Sequence, residues 1–211
     1  MVGKSLLRRI WGIQQAGSRL SLLWYRLGGS LVPPPHPIKL YWLDCFRRAY
    51  CVEILIETGT YQGTTVEAML EKFKQICTIE LDPELWKIMH DKFSRYSHVH
   101  VIQGNSGHVL PAILASVSQR CLFWLDGHFS GPGTARGAMD SPIAKELDAI
   151  RSHHRNDHII LVDDARLFDG NNGYLTLEEI HSRLKEINPR YHVRVVDDII
   201  QAYLQKPDRV G

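Results

Sequence analysis

The sequence predicts an α/β protein: a doubly wound sheet of five parallel strands completed by a C-terminal antiparallel hairpin, seven strands in all, preceded by a helical arm. Three observations lead there. From Cys51 onward, short apolar runs alternate with amphipathic segments of helix length, the pattern of a parallel sheet covered by helices on both faces. Near the end, two strand-like runs are separated only by Asp197-Asp198, and two residues can join only antiparallel strands. Before Cys51 the character changes: residues 1–50 carry eight Lys or Arg against the single acid Asp44, a net +7, whereas the remainder is net −5.

The basic arm mixes Lys4, Arg8, Arg9, Arg19 and Arg26 with Leu6, Leu7, Ile10, Trp11, Leu20, Leu23 and Trp24. Spacings such as Leu6/Leu7/Ile10/Trp11 fit one helix face. Arg8 and Arg9 interrupt the apolar run too early for a secretory signal. Two readings stay open for residues 1–30: a helix packed on the main domain, or a surface helix with Lys and Arg toward lipid phosphate at the inner face of a membrane. Pro33-Pro34-Pro35-His36-Pro37 favours a stiff, extended connector. The arm and linker therefore span residues 1–37 and the main domain 38–211.

Within that domain the predicted strands are Val52–Ile56, Ile76–Ile79, His98–Ile102, Leu122–Leu125, His158–Val162, Tyr191–Val196 and Ile199–Leu204. The predicted helices are Thr64–Phe73, Pro83–Phe93, Val109–Val117, Pro142–His153 and Thr176–Ile187, the last opened by a Thr176/Glu179 capping box. Asp197-Asp198 reads as a hairpin turn and nothing more. Hydrophobic residues make up 44% and charged residues 23%, which excludes a disordered or fibrous chain, and no apolar stretch reaches spanning length. Four cysteines without a CxxC pair fit reduced thiols in a cytoplasmic compartment.

Ligands of open α/β sheets bind beyond the carboxyl ends of the strands. All five parallel strands end in polar groups: Glu57-Thr58-Gly59-Thr60-Tyr61-Gln62-Gly63-Thr64, Glu80, Gly104-Asn105-Ser106, Asp126, and Asp163-Asp164. A dinucleotide fingerprint from Gly59 needs glycine two and five residues on, where this chain has Tyr61 and Thr64, so a nicotinamide or flavin dinucleotide is disfavoured. Glu57 before the turn suits a ligand carrying an ammonium, and Glu80 can accept both hydroxyls of a ribose. Asp126 and Asp163 end adjacent strands, so with Asp164 they form a candidate site for Mg²⁺ or Mn²⁺. His128, two residues past Asp126, is a candidate base for an acceptor proton.

The segments ETGTYQGTT (57–65), TIELDP (78–83), Gly104-Asn105-Ser106, FWLDGH (123–128) and LVDDA (161–165) resemble the successive motifs of class I S-adenosylmethionine (SAM) methyltransferases, a Rossmann-like fold. The nearest pattern is the cation-dependent O-methyltransferases of small molecules and sugars, over about residues 50–205. The resemblance implies that Glu57 and Gly59 face the methionine part of SAM, Glu80 its ribose, and Asn105 or Ser106 its adenine; Thr60, Gly63, Thr64 and Asp126 are further expected cofactor-binding residues. It implies Asp126, Asp163 and Asp164 as metal ligands; Asp126 and His128 are the expected catalytic residues, His128 from its place two residues beyond Asp126. Catechol-type members carry a lysine base three residues after the first metal aspartate, where this chain has Phe129.

The expected function is methyl transfer from SAM to a hydroxyl of a small molecule or sugar, aided by Mg²⁺ or Mn²⁺. The alternative is a non-catalytic SAM-binding or scaffold protein acting through its basic arm. Nucleic acid is disfavoured as acceptor, because the body is acidic and no Asn/Asp-Pro-Pro-Tyr motif occurs.

Overall fold

The computed structural model describes residues 33–127, 141–171 and 173–205. Strands β1 (Ile54–Thr58), β2 (Gln75–Glu80), β3 (Val99–Gln103), β4 (Cys121–Leu125) and β5 (Ile159–Val162) run parallel. β6 (Tyr191–Val196) and β7 (Ile199–Leu204) form the hairpin, and β7 inserts antiparallel beside β5. The order is β3-β2-β1-β4-β5-β7-β6. Strand order therefore reverses between β1 and β4, which opens a crevice above their carboxyl ends.

Helices α1 (His36–Tyr50), α2 (Thr64–Met69) and α3 (Pro83–Phe93) cover one face, and α4 (Ser106–Ala115), α5 (Ile143–Ser152) and α6 (Leu177–Ile187) the other. The central strands are buried throughout, as strands coated on both faces must be. Leu55, Leu122, Trp124 and Leu161 point toward Leu43 and Phe46 of α1, Met69 of α2 and Phe93 of α3. Their neighbours Ile54, Ile56, Phe123 and Ile160 pack under Leu110 of α4, Ile150 of α5 and Leu184 of α6. Period-two alternation in the strands thus feeds two separate cores.

Local chemistry sets the helix starts. Asp82 caps α3 by accepting from the amides of Glu84 and Leu85 at 2.8 and 3.0 Å, with Pro83 in the first turn. The Thr176/Glu179 capping box opens α6 as expected. No helix of the described residues is long and apolar enough to cross a membrane.

Two expectations change. The extended stretch ends sooner than the proline run implies, because α1 starts at His36 with Pro37 in its first turn, where a missing N–H is harmless. Asp197 and Asp198 do form the turn, both with left-handed φ (53° and 59°), but they also act as anchors. Asp197 accepts the Trp42 indole N–H at 2.7 Å, and Asp198 accepts the Arg166 backbone N–H at 2.8 Å and its guanidinium. The arm's residues 1–32 lie outside the described residues.

Candidate cofactor and acidic site at the strand carboxyl ends

The β1–α2 turn lies at the switch point. Gly59 has φ +83°, and a Cβ there would stand 2.4 Å from the backbone oxygen of Asp126, so the turn packs directly on the β4 end. Gly63 is likewise left-handed, and a side chain would run into Phe93 and Met89 of α3. Thr60 is buried, and its hydroxyl meets that of Thr78 at 2.6 Å. Tyr61 also adopts a left-handed φ of 45°, while its side chain is exposed. Its ring and backbone geometry occupy the place where a dinucleotide fingerprint has glycine.

Glu57 is buried at the end of β1. Thr78 on neighbouring β2 donates its hydroxyl to Glu57 Oε2 at 2.7 Å. Burial pushes the Glu57 carboxyl up to about 7, against the hydrogen bonds of Thr78 and Thr65. Thr65 is therefore the buried partner in this turn, whereas Thr64 is exposed at the start of α2. Glu80 accepts the Tyr61 N–H on one oxygen (2.8 Å) and the Asp82 N–H on the other (2.9 Å), tying the two loops together. Each carboxylate oxygen has a second lone pair, so two ribose hydroxyls can still be accepted.

At the end of β3, Asn105 precedes α4 without capping it, and its buried Oδ1 has no hydrogen-bond partner. Ser106 is buried in the first turn of α4. An orphan buried acceptor is costly, and this one lies against Gly107 in the first turn of α4. Glu57, Glu80 and Asp126 line the crevice with carboxyl groups, which suit a ligand bearing a sulfonium and an ammonium. The residues present therefore fit SAM.

The β4 and β5 ends carry the second half of the site. Leu125 pairs with Val162, and the Asp163 amide donates to the Leu125 carbonyl at 3.0 Å, so Asp126 and Asp163 emerge side by side. Asp126, Asp163 and Asp164 each offer a carboxylate oxygen, and these lie within 4.8 Å of one another. Asp163 is wholly buried, and Asp164 takes a left-handed φ of 55° that turns it back to the cluster. Burial and mutual repulsion raise the Asp126 and Asp163 carboxyls above their ordinary range.

A lysine not anticipated from the sequence completes this cluster. Lys39, in the first turn of α1, directs its ammonium onto Asp163 Oδ2 and lies 3.4 Å from Asp164 Oδ1. Burial alone would lower its pKa, but Asp163, Asp126 and Asp164 outweigh that and hold it raised, so Lys39 is a cation. Arg166 adds a second positive group, 2.8 Å from Asp164 Oδ1. The stripe Leu43, Phe46, Tyr50 gives the helix and sets Lys39 one turn before Leu43, but nothing in that spacing points to Asp163. His128, the candidate base, lies outside the described residues.

No family model matches the chain. A 54-residue stretch is 32% identical to a probable ribosomal RNA small subunit methyltransferase A of Methanosarcina barkeri, covering 26% of this chain and only 19% of that protein. Whole-chain likeness comes from solved structures. The SAH-bound methyltransferase PaMTH1 of Podospora anserina superposes with a TM-score of 0.55 at 16% identity, over 98% of each chain. An O-methyltransferase of Bacillus cereus in complex with SAH gives 0.55 at 14% identity, over 90% of this chain and 91% of that one. Likeness at this identity speaks for architecture, and together with the strand order it gives this chain the fold of the class I SAM-dependent methyltransferases.

Proposed function

We propose that the protein transfers a methyl group from SAM to a hydroxyl of a small molecule or sugar. The observation that carries the reading is the acidic, partly unsatisfied crevice at the β1/β4 switch point. Glu57 lies buried there with a carboxyl raised to about 7 that a ligand ammonium would ionise, and Glu80 keeps lone pairs for two hydroxyls. When bound, SAM supplies an electrophilic methyl group, and its remainder leaves as SAH.

Glu57 would hold the ammonium and Glu80 the ribose, while the bare Gly59 turn lets the cofactor lie against the β4 end. Asn105 and Ser106 would fix the adenine. Asp126 and Asp163, side by side at the ends of β4 and β5, would border the acceptor and hold its hydroxyl for in-line attack. The three aspartates would hold Mg²⁺ or Mn²⁺, which lowers the pKa of a coordinated hydroxyl. Their hard oxygen donors and mutual spacing suit such an ion, provided that Lys39 gives way.

O-methylation is supported by the acidic acceptor end and by the architecture shared with the Bacillus cereus enzyme. The test is incubation of the full chain with methyl-labelled SAM and a panel of catechols, sugars and short RNAs. Label in a hydroxylated small molecule, with stoichiometric SAH, is the expected result. Label in RNA alone would move the acceptor to nucleic acid, and SAM binding without any transfer would favour a scaffold role.

A further inference from the structure

Resting on that reading, we propose that Lys39 is a resident cation in the three-carboxylate cluster, and that a divalent ion enters only by displacing its ammonium. The two cations compete for the same carboxylates. Asp163 Oδ1 accepts the Asp164 backbone N–H at 2.9 Å and Oδ2 accepts the Lys39 ammonium, so both oxygens already have a donor. Asp164 Oδ1 faces both Lys39 (3.4 Å) and Arg166 (2.8 Å). An ammonium and a divalent ion cannot share one carboxylate oxygen at ligand distance without strong like-charge repulsion.

The exchange is a side-chain movement. α1 stays fixed by buried Leu43 and Phe46 and by the Trp42–Asp197 bond, all beyond the first turn. Lys39 sits on a flexible four-carbon stem and is slightly exposed, so its ammonium can swing outward. With the lysine in place the metal-free cluster keeps a cation among its buried acids. With it displaced, the rim gains a divalent ion and a free amine next to it. Metal affinity is thereby set by a residue 124 positions from Asp163 in sequence.

The test is a Mn²⁺ titration of the full chain, followed by electron paramagnetic resonance of free Mn²⁺. Wild type is compared with Lys39→Met, Lys39→Gln and Lys39→Arg, each checked for its fold by circular dichroism. Removing the charge should tighten Mn²⁺ binding by about tenfold to a hundredfold, the worth of one charge-assisted hydrogen bond no longer broken. Lys39→Arg should bind no more tightly than wild type. Two neutral variants guard against loss of one to misfolding. Equal, measurable affinity in wild type and the neutral variants would overturn the exchange while leaving the metal site standing. No Mn²⁺ binding by any folded variant would overturn both the exchange and the divalent-cation part of the functional reading. Neither result touches the SAM site, which calorimetry reads separately.

Discussion

The two halves of the rim solve the same problem differently. Above β1 and β2, buried carboxylates are held by near neighbours: Glu57 by Thr78 and Thr65, Glu80 by the amides of Tyr61 and Asp82. Above β4 and β5, the carboxylates are held by full charges brought from elsewhere, Lys39 from α1 and Arg166 from the turn after β5. Neutral donors leave the first half acidic and ready for a cationic ligand. The second half already contains its cation. A positive cofactor should therefore enter over β1–β3, and any metal must contend with a lysine over β4 and β5.

Substitutions can break this contrast, and the largest effect is expected where the halves touch. Gly59→Val drives a Cβ into the Asp126 carbonyl at a left-handed φ, and backbone cannot yield cheaply. We expect a loss of more than about 4 kcal/mol in urea unfolding. A loss below 1 kcal/mol would mean that the turn does not pack on β4 as described.

Next comes Lys39→Met, which leaves Asp163 buried without its cation and should cost about 3 kcal/mol in the same measurement. Without the ammonium, the Asp163 carboxyl rises further above its unfolded value. Its stabilising contribution is then lost as pH climbs through the folded value, so the variant's deficit should be larger at pH 8 than at pH 5. A pH-independent deficit would point to lost packing of the lysine stem instead.

A smaller effect sharpens the other half. Burial sets the Glu57 carboxyl at about 7, well above its ordinary value. Its contribution to stability is present at acid pH and lost as pH rises through about 7. A ligand ammonium favours the ionised form, so SAM affinity should improve roughly tenfold between pH 6 and pH 8. Glu57→Gln should flatten that dependence. A profile identical in both proteins would remove Glu57 from the ammonium site.

The same contrast governs what could be read from the sequence. The sheet was legible in full, hairpin included, because each strand is a short apolar run and Asp197-Asp198 allows only one chain direction. Glu57, Gly59, Glu80 and Asp126 were legible because residues at or next to a strand's carboxyl end have a fixed place on the rim. The geometry pairs Asp126 with Asp163 for the same reason. Lys39 was not legible: it precedes the strand–helix alternation, directly after a proline run that reads as a connector, and its partner is 124 residues away. Thr78 and Thr65 were missed because a threonine at the edge of a motif carries no charge signal. The anchoring roles of Asp197 and Asp198 likewise depend on Trp42 and Arg166, which only folding brings near.

The central claim is that the β1–β3 rim is a SAM site, and calorimetric titration of the full chain with SAM tests it most directly, with NAD⁺ as the control and Glu80→Ala as the variant. The account predicts saturable binding of one SAM per chain and none of NAD⁺. In Glu80→Ala, the loss of hydrogen bonds worth roughly 1.5–3 kcal/mol each should weaken SAM by about one to three decades, water replacing part of the loss. No heat with SAM, or SAM affinity unchanged in Glu80→Ala, would contradict it.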